Sequence, residues 1–396
     1  MSAEHEPFIL RGRILVDTEL REGAVVVEQG HIAAVLDAPA AQASELPDPL
    51  AGAPADRIIA SGFIDLQLNG AFGADCSEGP EALAHIAREL PRTGVTTFLP
   101  TLVSTEREAY PAMLAALPCA LGPGPSAQSP DGASALGWHL EGPWLTIRRK
   151  GAHREEAIEG ATFDQLDDLP DTVRLVTLAP DRVGAHEAIR RLVARGITVS
   201  LGHTDADYDT FRAAVDAGAT LATHLYNAMS PFHHRAPGAV GAALDDPRIT
   251  ATLIADGIHT HPAAARIAIR AKTPARIALV TDAISAVNLG TGQNSTAHTL
   301  GHQSVHVDAT SARLADGTLA GSVLTMDTAI RNLVAWTAAT PAEALRMASA
   351  TPARALTLTD RGRIAPSLRA DLTVLDAYLE VLATFVAGAL SHHRDT

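Results

Sequence analysis

Between residues 57 and 283, short apolar runs rich in β-branched residues alternate with Ala-, Leu- and Arg-rich stretches of helical period. The runs are "RIIASGFIDLQL", "GVTTFLPTL", "ASALGWHLE", "VRLVTLAP", "GITVSLGH", "ATLATHL", "ITATLIAD" and "RIALVTDA". Between them lie "EALAHIAREL", "GAHEAIRRLVARG", "DYDTFRAAVDAG" and "PAAARIAIRA". About eight strand–helix units in one chain point to a parallel barrel. A doubly wound open sheet is the alternative, but no G-x-G-x-x-G follows a strand to support it.

The flanks read differently. Residues 8–37 form short strands with turn signals at "EGA" and "QGH", and "LPDPLAGAPAD" is a linker. The stretch "DRGRIAPSLRADLTVLDAYLEVLATFVAG" returns to strands and turns. The expected architecture is an α/β fold, a (β/α)8 TIM-like barrel with a small β-sandwich domain formed by the N- and C-terminal segments. Residues 1–57 and 355–396 are assigned to the small domain and 58–354 to the barrel. "GPGPSAQSPDGA" at 122–133 reads as a surface loop.

A net charge of -14 disfavours nucleic acid and anionic membranes as partners. An anionic small molecule would need a local basic pocket. Two cysteines, Cys76 and Cys119, give neither a disulfide framework nor a Cys-rich zinc motif. No signal peptide and no membrane-length apolar run is read, so a cytoplasmic protein is expected.

Enzymes on such barrels carry their chemistry at the C-terminal ends of the strands. The polar residues there are Gln67 and Asn69, Glu141, His203, His224, Asp256 with His259, and Asp282. His203 and His224 are one helix plus one strand apart, the offset of adjacent barrel strands. Two imidazoles and a carboxylate make a three-ligand site for Zn²⁺ or Fe²⁺ with an open position for water. Asp282 reads either as an N-cap for "AISA" or as a general base. Arg148, Arg149 and Lys150 read as a solvated turn.

"GFIDLQLNG", "HLEGPWLTIRRKGAH", "LGHTDADYD", "THLYNAM", "ADGIHTHP" and "LVTDAISA" resemble, in the same order, the signature segments of the N-acetylglucosamine-6-phosphate deacetylases of the amidohydrolase superfamily. The resemblance implies metal ligation by Glu141, His203 and His224, and Asp282 as catalytic acid and base. It implies substrate contacts from Gln67, Ala152, His153, Asn227, Ala228, His259, Leu319, Ala320 and Gly321. His153 would stand near the acetamide carbonyl and His259 against the sugar hydroxyls. Arg235 would bind the phosphate, reaching the partner's site in a homodimer, with His233 and His234 beside it. The implied reaction converts N-acetyl-D-glucosamine 6-phosphate and water to D-glucosamine 6-phosphate and acetate.

Many amidohydrolases carry His-x-His after "GFID" to bind a second metal. Gln67 and Asn69 stand there, and amides are poorer ligands for Zn²⁺ than imidazole. One divalent metal per subunit is therefore expected, Zn²⁺ first, with Fe²⁺, Co²⁺ or Mn²⁺ as alternatives. The competing readings are another amidohydrolase acting on a different amide, or a non-catalytic amidohydrolase-like assembly protein. The second would be expected to lose ligands that are all present here.

Overall fold

The computed structural model describes residues 6–121, 132–287, 298–301, 303–308 and 311–394. Most of the 122–133 loop lies outside them.

Eight parallel strands form the barrel: Phe63–Leu68, Val95–Val103, Trp138–Glu141, Val173–Leu178, Thr198–Leu201, Leu221–Ala222, Thr250–Leu253 and Ile277–Leu279. They pair in sequence order. Just past the eighth strand, the Asp282 amide donates to the Gln67 carbonyl at 2.9 Å and the Asn69 amide to the Ala283 carbonyl at 2.9 Å, which brings the two ends of the sheet together. The strands are unbroken apolar runs because both faces are covered, by packed side chains inside and helices outside. The covering helices bury one stripe at helical spacing, as Ala188, Ile189 and Leu192 do in Ala185–Ala194.

The run "RIIASGFIDLQL" is two strands. Ile58–Ser61 pairs parallel with Phe8–Val16 and antiparallel with Leu372–Leu375, so it belongs to the terminal sheet. Phe63–Leu68 begins the barrel. Gly62 joins them where a Cβ would lie 2.2 Å from Thr96 Oγ1, so only glycine lets the two sheets approach this closely.

The terminal sheet has seven strands, four from the N-terminal side and three from the C-terminal side. It folds back on itself: Phe8 and Phe385, on strands three places apart, stack at 5.3 Å over a shared apolar core. A third, small antiparallel sheet is inserted after the eighth barrel strand, formed by His298–Leu300, Gln303–Val307 and Ala312–Arg313. It packs on Ala152, Ile284, Ala286 and Ala320 at the barrel mouth.

Candidate metal centre and active site

Four buried side chains meet at the C-terminal end of the barrel. Glu141 is the last residue of the third strand; His203 and His224 stand two residues past the fifth and sixth. His203, His224 and Asp282 all have positive φ, at 48°, 30° and 49°. Non-glycine residues in this region are costly, and such strain gathers at functional sites.

Glu141 Oε1 lies 2.9 Å from His224 Nε2 and 3.3 Å from His203 Nε2, and the two imidazole nitrogens are 3.1 Å apart. A tetrahedral metal with ligand bonds of about 2.0–2.2 Å separates its ligands by about 3.3–3.5 Å. The triangle is within a few tenths of an ångström of that, and its one carboxylate and two imidazoles suit a divalent cation. The outer contacts also fit. His203 Nδ1 donates to the Arg149 carbonyl at 2.8 Å, which leaves the Nε2 lone pair facing the cluster. Buried His224 Nδ1, by contrast, has no hydrogen-bond partner among the described residues.

Glu141, His153 and His203 also converge with donor atoms within 4.8 Å of one another. Tautomers separate His153 from His203. Its Nδ1 accepts from the Ser104 amide at 3.1 Å, and a backbone amide can only donate. Burial drops this ring to about 4, so it is neutral and carries its proton on Nε2, 3.5 Å from Glu141 Oε2. His153 is therefore a hydrogen-bond donor into the site.

Burial alone would raise Glu141, but its close contacts with the His153, His203 and His224 rings outweigh it and hold the carboxylate well below its ordinary range. His224 is raised, because its hydrogen bond to Glu141 more than offsets burial. Burial, reinforced by the charge of Glu141, pushes Asp282 up to about 6. Gln67 Nε2 donates to Glu141 Oε1 at 2.8 Å and to Asp282 Oδ1 at 3.2 Å, and Asn69 Nδ2 donates to the same Oδ1 at 2.7 Å. The two amides thus tie the Glu141 carboxylate to the strand-eight aspartate. Both reach Oδ1, leaving Oδ2 to exchange a proton. "AISA" forms a turn and no helix, so Asp282 has no helix to cap.

These residues line a cleft of about 350 Å³, joined by Ala152, Asn227, Ala228, His259, Leu319 and Gly321. His259 Nδ1 donates to Asp256 Oδ2 at 2.6 Å, leaving Nε2 free as an acceptor. Gln67 and Ala320 are buried behind the lining. Arg235 is exposed on the 231–236 loop, outside the lining formed by a single chain, with its guanidinium 2.9 Å from His234 Nε2. His139 is a core residue: its ring bonds the Leu66 carbonyl and Thr177 Oγ1.

The basic turn is not merely solvated. Arg148 and Arg149 both pair with Asp205, at 2.8 Å each, and both line the cleft. Val103, Gly151, Leu300 and Thr318 also line it and carry no sequence signal of their own.

Comparison with known proteins agrees with this geometry. The model of the amidohydrolase family matches residues 58–391. The N-acetylglucosamine-6-phosphate deacetylase of Bos taurus is 45% identical over 351 residues, 84% of this chain and 83% of that protein. The N-acetylgalactosamine-6-phosphate deacetylase of Escherichia coli O157:H7 is 39% identical, over 85% of this chain and 88% of that protein. The structure of a mutant N-acetyl-D-glucosamine-6-phosphate deacetylase from Mycobacterium smegmatis, in complex with N-acetyl-D-glucosamine 6-phosphate, superposes with a TM-score of 0.88 at 34% identity, covering 98% of this chain and all of that one. A nearly closed barrel, a Glu–His–His cluster at its mouth and a strand-eight aspartate beside it accompany a family match across most of the sequence: the chain belongs to the amidohydrolase family.

Proposed function

We propose that this chain hydrolyses the acetamide of N-acetyl-D-glucosamine 6-phosphate, giving D-glucosamine 6-phosphate and acetate in amino-sugar catabolism. The observation that carries this reading is the link through Gln67 between Glu141 and Asp282, which puts a proton acceptor beside a three-donor metal site. The names of the relatives support the substrate class.

Glu141, His203 and His224 would hold one divalent cation, Zn²⁺ before Fe²⁺, Co²⁺ or Mn²⁺ on the donor set. When bound it supplies Lewis-acid activation of water and of the amide carbonyl. Asp282 Oδ2 takes a proton from the attacking water as the new C–O bond forms. His153 Nε2–H donates to the carbonyl oxygen as it gains negative charge. Asp282 returns its proton to the nitrogen as the C–N bond breaks, and the remaining hydroxyl proton of the adduct passes to the amine, so acetate and the ammonium form of the sugar leave and the aspartate is regenerated. His259 Nε2 accepts from a sugar hydroxyl, while Asn227, Ala228 and the Leu319–Gly321 backbone position the ring. Arg235 binds the phosphate in the partner's cleft of a homodimer, a role that its exposure outside its own cleft supports.

The working division is a terminal β domain, 1–57 and 355–396, to which Ile58–Ser61 adds one strand, and a catalytic barrel over the rest of 58–354. No helix among the described residues is long and apolar enough to cross a membrane. A phosphorylated sugar is retained where it is made, which supports a cytoplasmic enzyme.

The galactosamine-named relative favours a second reading, the C4 epimer as substrate. Acetate release from the 6-phosphates of N-acetylglucosamine and N-acetylgalactosamine, with unphosphorylated N-acetylglucosamine alongside, tests both. Fast release from the first alone is expected. Release only from the galactosamine compound would move the assignment to the epimer, and release from neither would refute both.

A further inference from the structure

A second, smaller cavity lies behind the cleft. Asn69, Val103 and Leu300 line both spaces. Beyond them the cavity has room for about one or two water-sized groups, and its other lining includes Thr101, Ser104 and Met113 beside the charged Asp75 and Arg154. Val103 ends the second barrel strand, and Leu300 ends the first strand of the inserted sheet. Val103 packs into the apolar cluster that contains buried Leu300. Together with Asn69 they separate the two spaces.

Two contacts fix that partition. The Gly301 amide donates to Asp75 Oδ2 at 3.0 Å, and Gln303 Nε2 donates to the Ala152 carbonyl. Leu300 is thereby held between the first barrel loop and the loop bearing His153.

The direction of the acyl group follows from the order of the strands, given the proposed reaction. The groups assigned to the sugar, Asn227 and His259, follow strands six and seven. In an eight-strand ring, strand two lies across the barrel from strand six. An amide carbonyl carbon is planar and trigonal, so its nitrogen, oxygen and acyl carbon point in three directions. With the nitrogen toward the sugar groups and the oxygen toward His153, which follows strand three, the acyl carbon is left to the side of strands one and two, where Val103 stands. We propose that Val103 and Leu300 set the acyl-length limit of this enzyme, and that the cavity behind them accepts one further carbon once either side chain is trimmed.

This inference rests on the proposed deacylase activity, and one experiment separates the two. The quantity is kcat/KM for N-propionyl- relative to N-acetyl-glucosamine 6-phosphate, in wild type, Leu300→Ala and Val103→Ala, with the N-butyryl compound as a third probe. One methylene against a fixed apolar wall is worth about 10- to 200-fold in kcat/KM. Wild type is expected to disfavour propionyl by at least about tenfold. Each variant should raise the propionyl-to-acetyl ratio by about tenfold or more, with a smaller gain for butyryl because the space behind is small. Equal rates on acetyl and propionyl in wild type would overturn the proposal. So would an unchanged ratio in the variants; if one of them fails to fold, the other decides. No hydrolysis of the acetyl compound by wild type would instead overturn the deacylase reading itself.

Discussion

Asn69 donates from Nδ2 to Oδ1 of Asp282 across 2.7 Å, at a position where many amidohydrolases would place a metal-binding histidine. The amide orients the aspartate, and with Gln67 it occupies one carboxylate oxygen and leaves the other to carry a proton. Asp282→Asn removes the proposed proton carrier without changing the shape of the site. It should lower kcat by about 10²–10⁴-fold while melting temperature and metal content stay near wild type. Steady-state kinetics with metal analysis of the same preparation decide it; near-normal turnover in metal-loaded protein would remove Asp282 from the mechanism.

Gln67→Ala cuts the link between Glu141 and Asp282. Loss of a hydrogen-bond partner behind a metal ligand typically costs about 10–100-fold in metal affinity or activity. The expected result is a lower kcat with KM little changed, together with faster metal loss to a competing chelator. A variant with wild-type kcat and metal retention would mean the amide only fills space.

Removing the metal should abolish hydrolysis and lower the melting temperature, since a ligand present at 100–1,000 times its Kd stabilises the native state by about 3–4 kcal/mol. Titrating metal back should restore activity at about one equivalent per chain, from the three-donor count. Two tight equivalents would show that Gln67 and Asn69 take part in a second site.

Arg235→Ala should raise KM for the phosphorylated sugar by about tenfold or more, as expected for losing a charge-assisted fork to phosphate, and leave the unphosphorylated sugar unaffected. In a mixed population with Asp282→Asn chains, hybrid dimers should regain a fully furnished cleft. Equal effects on both sugars, or no regain in the mixture, would count against a phosphate contact made across the dimer.

Burial pushes the Asp75 carboxyl up from 3.8 to about 6, despite hydrogen bonds from Ser77 and Gly301. Between about pH 4 and 6 the folded chain therefore holds a proton that the unfolded chain has released. That stabilisation is fully present below about pH 4 and is lost as pH rises through about 6. Asp75→Asn should flatten the fall in unfolding free energy over this window by about 1 kcal/mol per pH unit. Denaturant melts at several pH values measure the slope; parallel curves for the two proteins would refute the assignment.

The strand-end residues were legible because the barrel repeats. Short apolar runs announce the strands, and a lone His or Asp at the end of such a run stands out, as His203 and Asp282 do. Relations that join distant parts of the chain left no such trace. Gln67 and Asp282 are 215 residues apart, and His203 is oriented by a carbonyl 54 residues away. The Gly62 break was hidden inside a continuous apolar run, because strands in two different sheets need the same side chains. The inserted sheet over the mouth was missed for the opposite reason: its strands are short and only partly buried, and their alternation is faint.

The terminal sheet has an order-of-synthesis consequence. Ile58–Ser61 emerges from the ribosome early, but its neighbour on one side, Leu372–Leu375, is made about 310 residues later. At 5–20 residues per second, that edge waits about 15–60 s for its partner. Exposed strand edges are templates for wrong pairing. Until its last few dozen residues arrive, the nascent chain carries an open seam, and a C-terminal truncation would make that seam permanent.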